Sequence, residues 1–170
     1  VNFLVVIFCR DPVDYVESAV QQNVKGNRLT IQQATQLHVK DTLNRYRVLY
    51  DNYSGFFGKE SIKIISFEEA IKSSSGLLAT FFESIGFDNI KLLEARSNES
   101  ICFELIQLLS ELNARKCFLM SKEIKKLQMI SGSKKNILSE KVREEIVSLA
   151  ENDRMLLESL SLSLLKDRTE

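Results

Sequence analysis

The sequence predicts an α/β fold, rich in helix and carrying two clear strands, on three observations. Val1 to Cys9 is an almost unbroken apolar run that ends in a sharp turn, and Ile62 to Ser66 is a second, shorter run of the same kind. Most of the remaining chain places its apolar residues at the alternating three-and-four spacing of amphipathic helices.

The first run is dominated by valine, isoleucine and phenylalanine, which suits a strand over residues 3 to 9 covered on both faces, as in a parallel sheet. Asp11 is then placed to cap a helix, Pro12 fits a first turn where a missing N–H costs nothing, and Asp14 meets the positive helix end. The turn therefore falls at the carboxyl end of a strand, where open α/β sheets bind their ligands. Arg10 leaves the strand there with a fixed charge and a planar fork of donors suited to phosphate oxygens. Ser18 follows eight residues later. At about 1.5 Å of rise per residue it lies roughly ten ångströms along the helix, so a long arginine and a short hydroxyl can meet at one anion. The plainer reading of the same pair is a solvated strand-end charge and a neutral helix residue, because such turns recur in α/β proteins.

Leu29 to Tyr53 reads as one helix, with Val39, Leu43, Tyr46, Tyr50 and Tyr53 forming a single stripe that packs as core. Gly55 and Gly58 end it. His38, the only histidine, is the candidate catalytic base; its place beside Leu37 and Val39 equally suits a packing or surface role. After the Ile62–Ser66 strand, Glu68 and Glu69 stand either at a ligand-binding sheet edge or as first-turn charges of a helix. Leu77, Leu78, Phe81, Phe82 and Ile85 predict the next buried helical face, with serines ahead as caps and Gly86 as the stop. Residues 99 to 112 predict a helix with Ile101, Leu105, Leu108, Leu109 and Leu112 inward. Arg115 to Lys126 predicts a lysine-rich helix, Ile130 to Asn136 a loop, and Ser139 the cap of a last helix that runs, with a break near Asn152, to about Leu165. Lys25 and Arg28, flanking Gly26, are either ordinary loop charges or contacts for an acidic glycan.

Composition narrows the function classes. The chain has 170 residues, 44% hydrophobic and 27% charged, enough for one core of ordinary size and a single domain. Acidic and basic residues balance at 23 each, so no global field draws the chain to nucleic acid or to a membrane, and any anion binding is local. The three cysteines, Cys9, Cys102 and Cys117, are widely spaced and odd in number, which suggests neither a disulfide framework nor a metal site. No apolar stretch reaches the roughly 20 residues of a membrane-spanning helix, and no secretory leader pattern is present.

Three segments carry a family resemblance. VVIFCRDPVDYVESAV resembles the 3'-phosphate-binding segment of sulfotransferases that use 3'-phosphoadenosine 5'-phosphosulfate, in which a strand ends in an arginine and a serine follows eight positions later. Arg10 and Ser18 occupy those positions. IKIISFEEAIKSSSGLLATFFESIGFD is similar to the family's later strand, its aromatic-acidic turn and the helix ending in the corner here formed by Ile85-Gly86-Phe87. RSNESICFELIQLLSELN is similar to a segment of bacterial and carbohydrate-type members, so the resemblance covers roughly residues 3 to 113.

The resemblance implies a P-loop NTPase-like sulfotransferase fold, a parallel sheet flanked by helices. It implies transfer of a sulfuryl group to an acceptor hydroxyl or amine, with a carbohydrate as the leading acceptor. Arg10 and Ser18 would hold the 3'-phosphate of the co-substrate, no metal would be needed, and the catalytic base would stay unassigned apart from His38. No Gly-rich loop followed by Lys-Ser or Lys-Thr matches the family's 5'-phosphosulfate loop, and Ser131-Gly132-Ser133-Lys134-Lys135 is only a vague echo of its later basic loop. The expectation is therefore the C-terminal part of a longer sulfotransferase domain, inactive by itself, of the bacterial cytoplasmic kind, with a Golgi lumenal enzyme as the other setting. Two further readings stay open: a noncatalytic helical α/β interaction domain, and a P-loop nucleotide kinase-like phosphotransferase.

Overall fold

The structure is a computed structural model that describes residues 3–26, 28–73, 76–87, 101–128 and 136–166, with side chains to residue 160. In order, its elements are β1 (Val5–Cys9), α1 (Pro12–Gly26), α2 (Ile31–Lys40), α3 (Arg45–Phe57), a short 3₁₀ turn (Lys59–Ser61) and β2 (Ile62–Ser66). Helices α4 (Phe67–Lys72), α5 (Gly76–Ser84), α6 (Phe103–Ala114), α7 (Ser121–Leu127), α8 (Glu140–Leu149) and α9 (Glu151–Lys166) follow. The protein is mixed α/β, mostly helical, with two parallel strands among the described residues. The chain divides into two compact units, Val1–Asp11 with Asn44–Ala95 and Leu149–Glu170, and Pro12–Leu43 with Arg96–Ser148.

The first unit is built on the β1–β2 pair. The strands run parallel with Val5 beside Ile62, Ile7 beside Ile64 and Cys9 beside Ser66. Side chains alternate between faces along a strand. One face, Val5, Ile7, Cys9, Ile62 and Ile64, packs on Tyr46 and Leu49 of α3 and Leu157 of α9. On the other face the Phe8 ring meets Phe81 of α5 at 6.5 Å, and the Lys63 ammonium donates to the Ser84 carbonyl at 3.3 Å, a cation at the negative end of α5. Helices thus flank both faces, as the apolar runs predicted. Phe3 and Leu4, ahead of β1, are exposed, and the start of the predicted run at Val1 lies outside the described residues.

The second unit is a helical cluster. Val13, Val16, Val20 and Val24 make the buried stripe of α1, packed with Ala34 and Val39 of α2 and Leu105, Ile106 and Leu109 of α6. Thr30 caps α2 in a reciprocal box with Gln33. The Asn113 amide donates to the carbonyls of Val24 and Leu29, both at 2.9 Å, and ties the end of α6 to the end of α1. Glu17 of α1 is ion-paired with Arg143 of α8.

Several elements differ from the sequence expectation. Leu29 to Tyr53 is two helices, because residues 41–44 form a turn in which Thr42 bonds back to the Val39 carbonyl and Asn44 takes a left-handed φ of 52°. The stripe is divided accordingly: Tyr46 is buried, whereas Leu43 and Tyr53 are exposed. Phe67-Glu68-Glu69, which the resemblance made a separate turn, is the first turn of α4, with the Ser66 hydroxyl accepting from the Glu69 N–H; Glu68 and Glu69 are the first-turn helix charges of the other reading. Leu78 and Leu108 face solvent, and Ile106 takes the inward position on α6. Helix α7 starts at Ser121, since residues 115–120 are irregular and Lys116 has a φ of 58°. Gly86, at φ 88°, ends its helix as expected, and the last helices break at Ala150. Residues 96–100 of the third resembling segment and the 131–135 loop lie outside the described residues.

The start of α3 is set from far along the chain. The buried carboxylate of Asp153 accepts the N–H groups of Tyr46 at 2.9 Å and Arg47 at 2.8 Å, two of the donors a helix leaves unsatisfied at its N-terminus. Asp153→Ala is expected to cost about 3 kcal/mol in urea unfolding, because two buried donors lose a charged acceptor. Asp153→Asn, which keeps one acceptor oxygen, is expected to cost about 1 kcal/mol. Equal stability of the alanine variant and the parent would refute the cap.

Candidate functional site

Arg10 is the first residue beyond β1, at the carboxyl end of the parallel pair. Its backbone is held by the Tyr46 side chain, whose hydroxyl accepts the Arg10 N–H at 2.9 Å and donates to the Arg10 carbonyl at 3.2 Å. Both main-chain groups of one residue are satisfied by one phenol. The ring beneath that phenol is part of the core with Ile7 and Cys9, so the strand end is fixed from inside the unit.

The guanidinium has its own surroundings. It lies 5.2 Å from the centroid of the Phe67 ring, within cation–π range, and its Nε stands 3.9 Å from Glu68 Oε1. The same Glu68 oxygen accepts the Asp11 N–H at 3.1 Å, so the carboxylate is itself anchored to the turn. Arg10 and Glu68 are each about one-third exposed, so the pair is solvent-screened and positions the side chain more than it stabilises the fold. Among the described residues no side-chain hydrogen bond engages the guanidinium, and its buried Nε has no hydrogen-bond partner.

The two titratable neighbours of this corner stay protonated. Burial, reinforced by the charges of Asp153 and Glu68, pushes the Cys9 thiol up from its ordinary 9.0 to about 12. Burial also raises Tyr46, against the lowering effect of its hydrogen bond with the Arg10 backbone. Both therefore hold their protons at neutral pH, and the Cys9 thiol is not a nucleophilic thiolate there.

The other candidates stand elsewhere. Ser18 is half-buried on α1, in the second unit, one residue beyond Glu17. His38, also in the second unit, has Asn23 Nδ2 at 2.7 Å from Nε2, Asp41 Oδ2 at 3.3 Å from Nδ1 and the Tyr15 ring edge-on at 6.3 Å. The ring is enclosed by neighbours from α1 and the end of α2. Glu69 is an exposed first-turn residue of α4. Lys25 lies in the last turn of α1, and Arg28, at φ 61°, stacks over Phe118 at 4.5 Å.

Sequence reasoning located Arg10 and placed Tyr46 only in the core. It missed the hydroxyl bracket of Tyr46, the anchoring by Glu68 and the cap from Asp153. The aromatic-acidic pair directly after β2 is the one local signal for Glu68. Among the described residues no group of three or more His, Cys, Asp or Glu comes together to hold a metal ion, and no helix is long and apolar enough to cross a membrane. No family model matches the chain, and no curated protein and no solved structure matches it.

Cys9 and Tyr46 both bind their protons more tightly in the folded chain than in the unfolded one. Stability is therefore undiminished below the unfolded thiol value of 9.0 and falls as pH rises toward about 12. Each group adds a slope of at most about 1.4 kcal/mol per pH unit. In Cys9→Ala the alkaline loss, followed by urea unfolding at stepped pH, is expected to be shallower than in the parent. Identical pH profiles would contradict a buried, protonated thiol.

Proposed function

We propose that this chain belongs to a sulfotransferase that uses 3'-phosphoadenosine 5'-phosphosulfate, and that Arg10 and Ser18 hold the 3'-phosphate of that co-substrate. The observation that carries the proposal is Arg10: a guanidinium at the carboxyl end of a parallel strand pair, its backbone bracketed by Tyr46 and its side chain set between Phe67 and Glu68. The aromatic and acidic residues that flank it come from the second segment resembling the family, so two separate resemblances meet at one guanidinium. The pairing with Ser18 rests on the eight-residue spacing and on the resemblance.

In the reaction an acceptor hydroxyl or amine attacks sulfur, the bond between sulfur and the 5'-phosphate oxygen breaks, and adenosine 3',5'-bisphosphate departs with that electron pair. The acceptor's proton passes to a base, for which His38 is the candidate from this chain. Arg10 and Ser18 act at the end of the nucleotide remote from sulfur. Their contribution is positioning: a charge-assisted clamp on the 3'-phosphate fixes the nucleotide and with it the line of attack. The acceptor class proposed is a carbohydrate, on the similarity of residues 96–113 to carbohydrate-type members.

Calorimetric titration with adenosine 3',5'-bisphosphate, adenosine 5'-monophosphate and adenosine triphosphate tests the assignment. The bisphosphate is expected to bind tightest, and Arg10→Ala to weaken it by more than about 1.5 kcal/mol, over tenfold, while leaving the monophosphate nearly unchanged. Equal binding of the bisphosphate by parent and variant would sink the site. A preference for the triphosphate would favour a phosphotransferase instead.

A further inference from the structure

Residues 115–120, between α6 and α7, read Arg-Lys-Cys-Phe-Leu-Met and are irregular rather than helical. A helix through them would turn part of its apolar content inward. As a loop they leave Phe118 40% and Met120 61% exposed, with Cys117 exposed and Leu119 partly so. Three exposed apolar residues within four positions are not explained by packing.

Basic residues flank this tip in the sequence. Arg115 and Lys116 precede it, and Lys122, Lys125 and Lys126 follow on α7, whose inward residue is Ile124. Arg28 reaches it through the Phe118 ring, and the Asn113 amide, bonded to Val24 and Leu29, holds the end of α1 with Lys25 and Arg28 against the same corner. The one acid from Arg115 to Lys126 is Glu123, whose carboxylate accepts the Met120 N–H at 2.6 Å and so shapes the loop. None of Arg115, Lys116, Lys122, Lys125 and Lys126 forms an ion pair among the described residues. In a chain of net charge zero this is a local concentration of positive charge around an apolar tip.

We infer that this corner of the second unit docks on a bilayer surface that carries anionic lipids. The Phe118–Met120 tip enters the headgroup region and the surrounding lysines and arginines meet lipid phosphates and carboxylates. Charge and apolarity together select this occupant. A soluble polyanion would use the charges and leave Leu119 and Met120 without a partner. A second copy joined through the same patch would set like charges against like. Docking here is independent of the sulfotransferase reading and stands or falls separately from it.

The test is co-sedimentation of the full chain with vesicles of one part phosphatidylserine to two parts phosphatidylcholine, and with phosphatidylcholine alone. Binding is expected only to the anionic vesicles, and it is expected to weaken as salt rises. Met120→Glu and the double variant Lys125→Glu/Lys126→Glu are each expected to weaken it about tenfold or more. All three positions are exposed, and circular dichroism checks that each variant folds; the salt series and the lipid comparison use the parent alone and decide the matter if a variant does not. Equal binding to both vesicle types, no binding to either, or retention by Met120→Glu would overturn the inference. So would a doubling of mass in light scattering without lipid, which would assign the patch to a second copy, or a stronger affinity for heparin than for the vesicles.

Discussion

The contact between the Asp153 carboxylate and the start of α3 orders the first unit. It satisfies two backbone donors that would otherwise be buried without partners, and in doing so it decides where α3 begins. The first of those donors belongs to Tyr46. Once that residue is placed at the helix entrance, its ring fills the space beside Ile7 and Cys9, and its hydroxyl reaches the main chain of Arg10. A single carboxylate therefore acts through one tyrosine on the backbone of the residue that carries the site's charge. The sheet contributes the other half of the constraint, since the register of β1 on β2 brings Cys9 beside Ser66 and so sets Phe67 and Glu68 next to Arg10.

The electrostatics of that corner follow from which groups are buried. Cys9 and Tyr46 are enclosed, and burial keeps them neutral. Arg10 and Glu68 remain partly in water, where a charged pair costs little to maintain and little to exchange. The guanidinium is oriented by an aromatic face and a carboxylate, so it has less freedom than a freely rotating side chain. In the second unit, by contrast, the exposed Phe118 and Met120 are flanked in sequence by lysines and arginines, with Arg28 over the Phe118 ring.

Some of this was legible in the chain and some was not, and the division follows the range of the interactions. The Ile62–Ser66 strand and the helix stop at Gly86 depend on neighbouring residues, and both were read where the structure has them. The helix break after Lys40 was missed because the residues on either side continue a good amphipathic stripe. What interrupts the stripe is the 41–44 turn that closes on a left-handed Asn44, and what restarts it is a carboxylate 107 residues from Tyr46. The lysine-rich stretch from Arg115 has ordinary helix formers, yet its first turn is replaced by a loop whose Met120 N–H is held by Glu123. The bracket on Arg10 left no local sign at all, since one tyrosine in a helical stripe looks like any other.

By itself, the sequence determined an α/β chain with two strands and a preponderance of helix, and an arginine at the carboxyl end of the first strand. These depend on hydrophobic period, turn chemistry and residue type, all of which act over a few positions. Only the tertiary structure decided that Glu68 and Phe67 flank the guanidinium, that Tyr46 grips its backbone, and that Asp153 places Tyr46. Those contacts join residues 36 to 107 positions apart. Hydrogen bonds over such distances form only after the core has brought the segments together, and nothing in the local pattern of residues records which partner each donor will find.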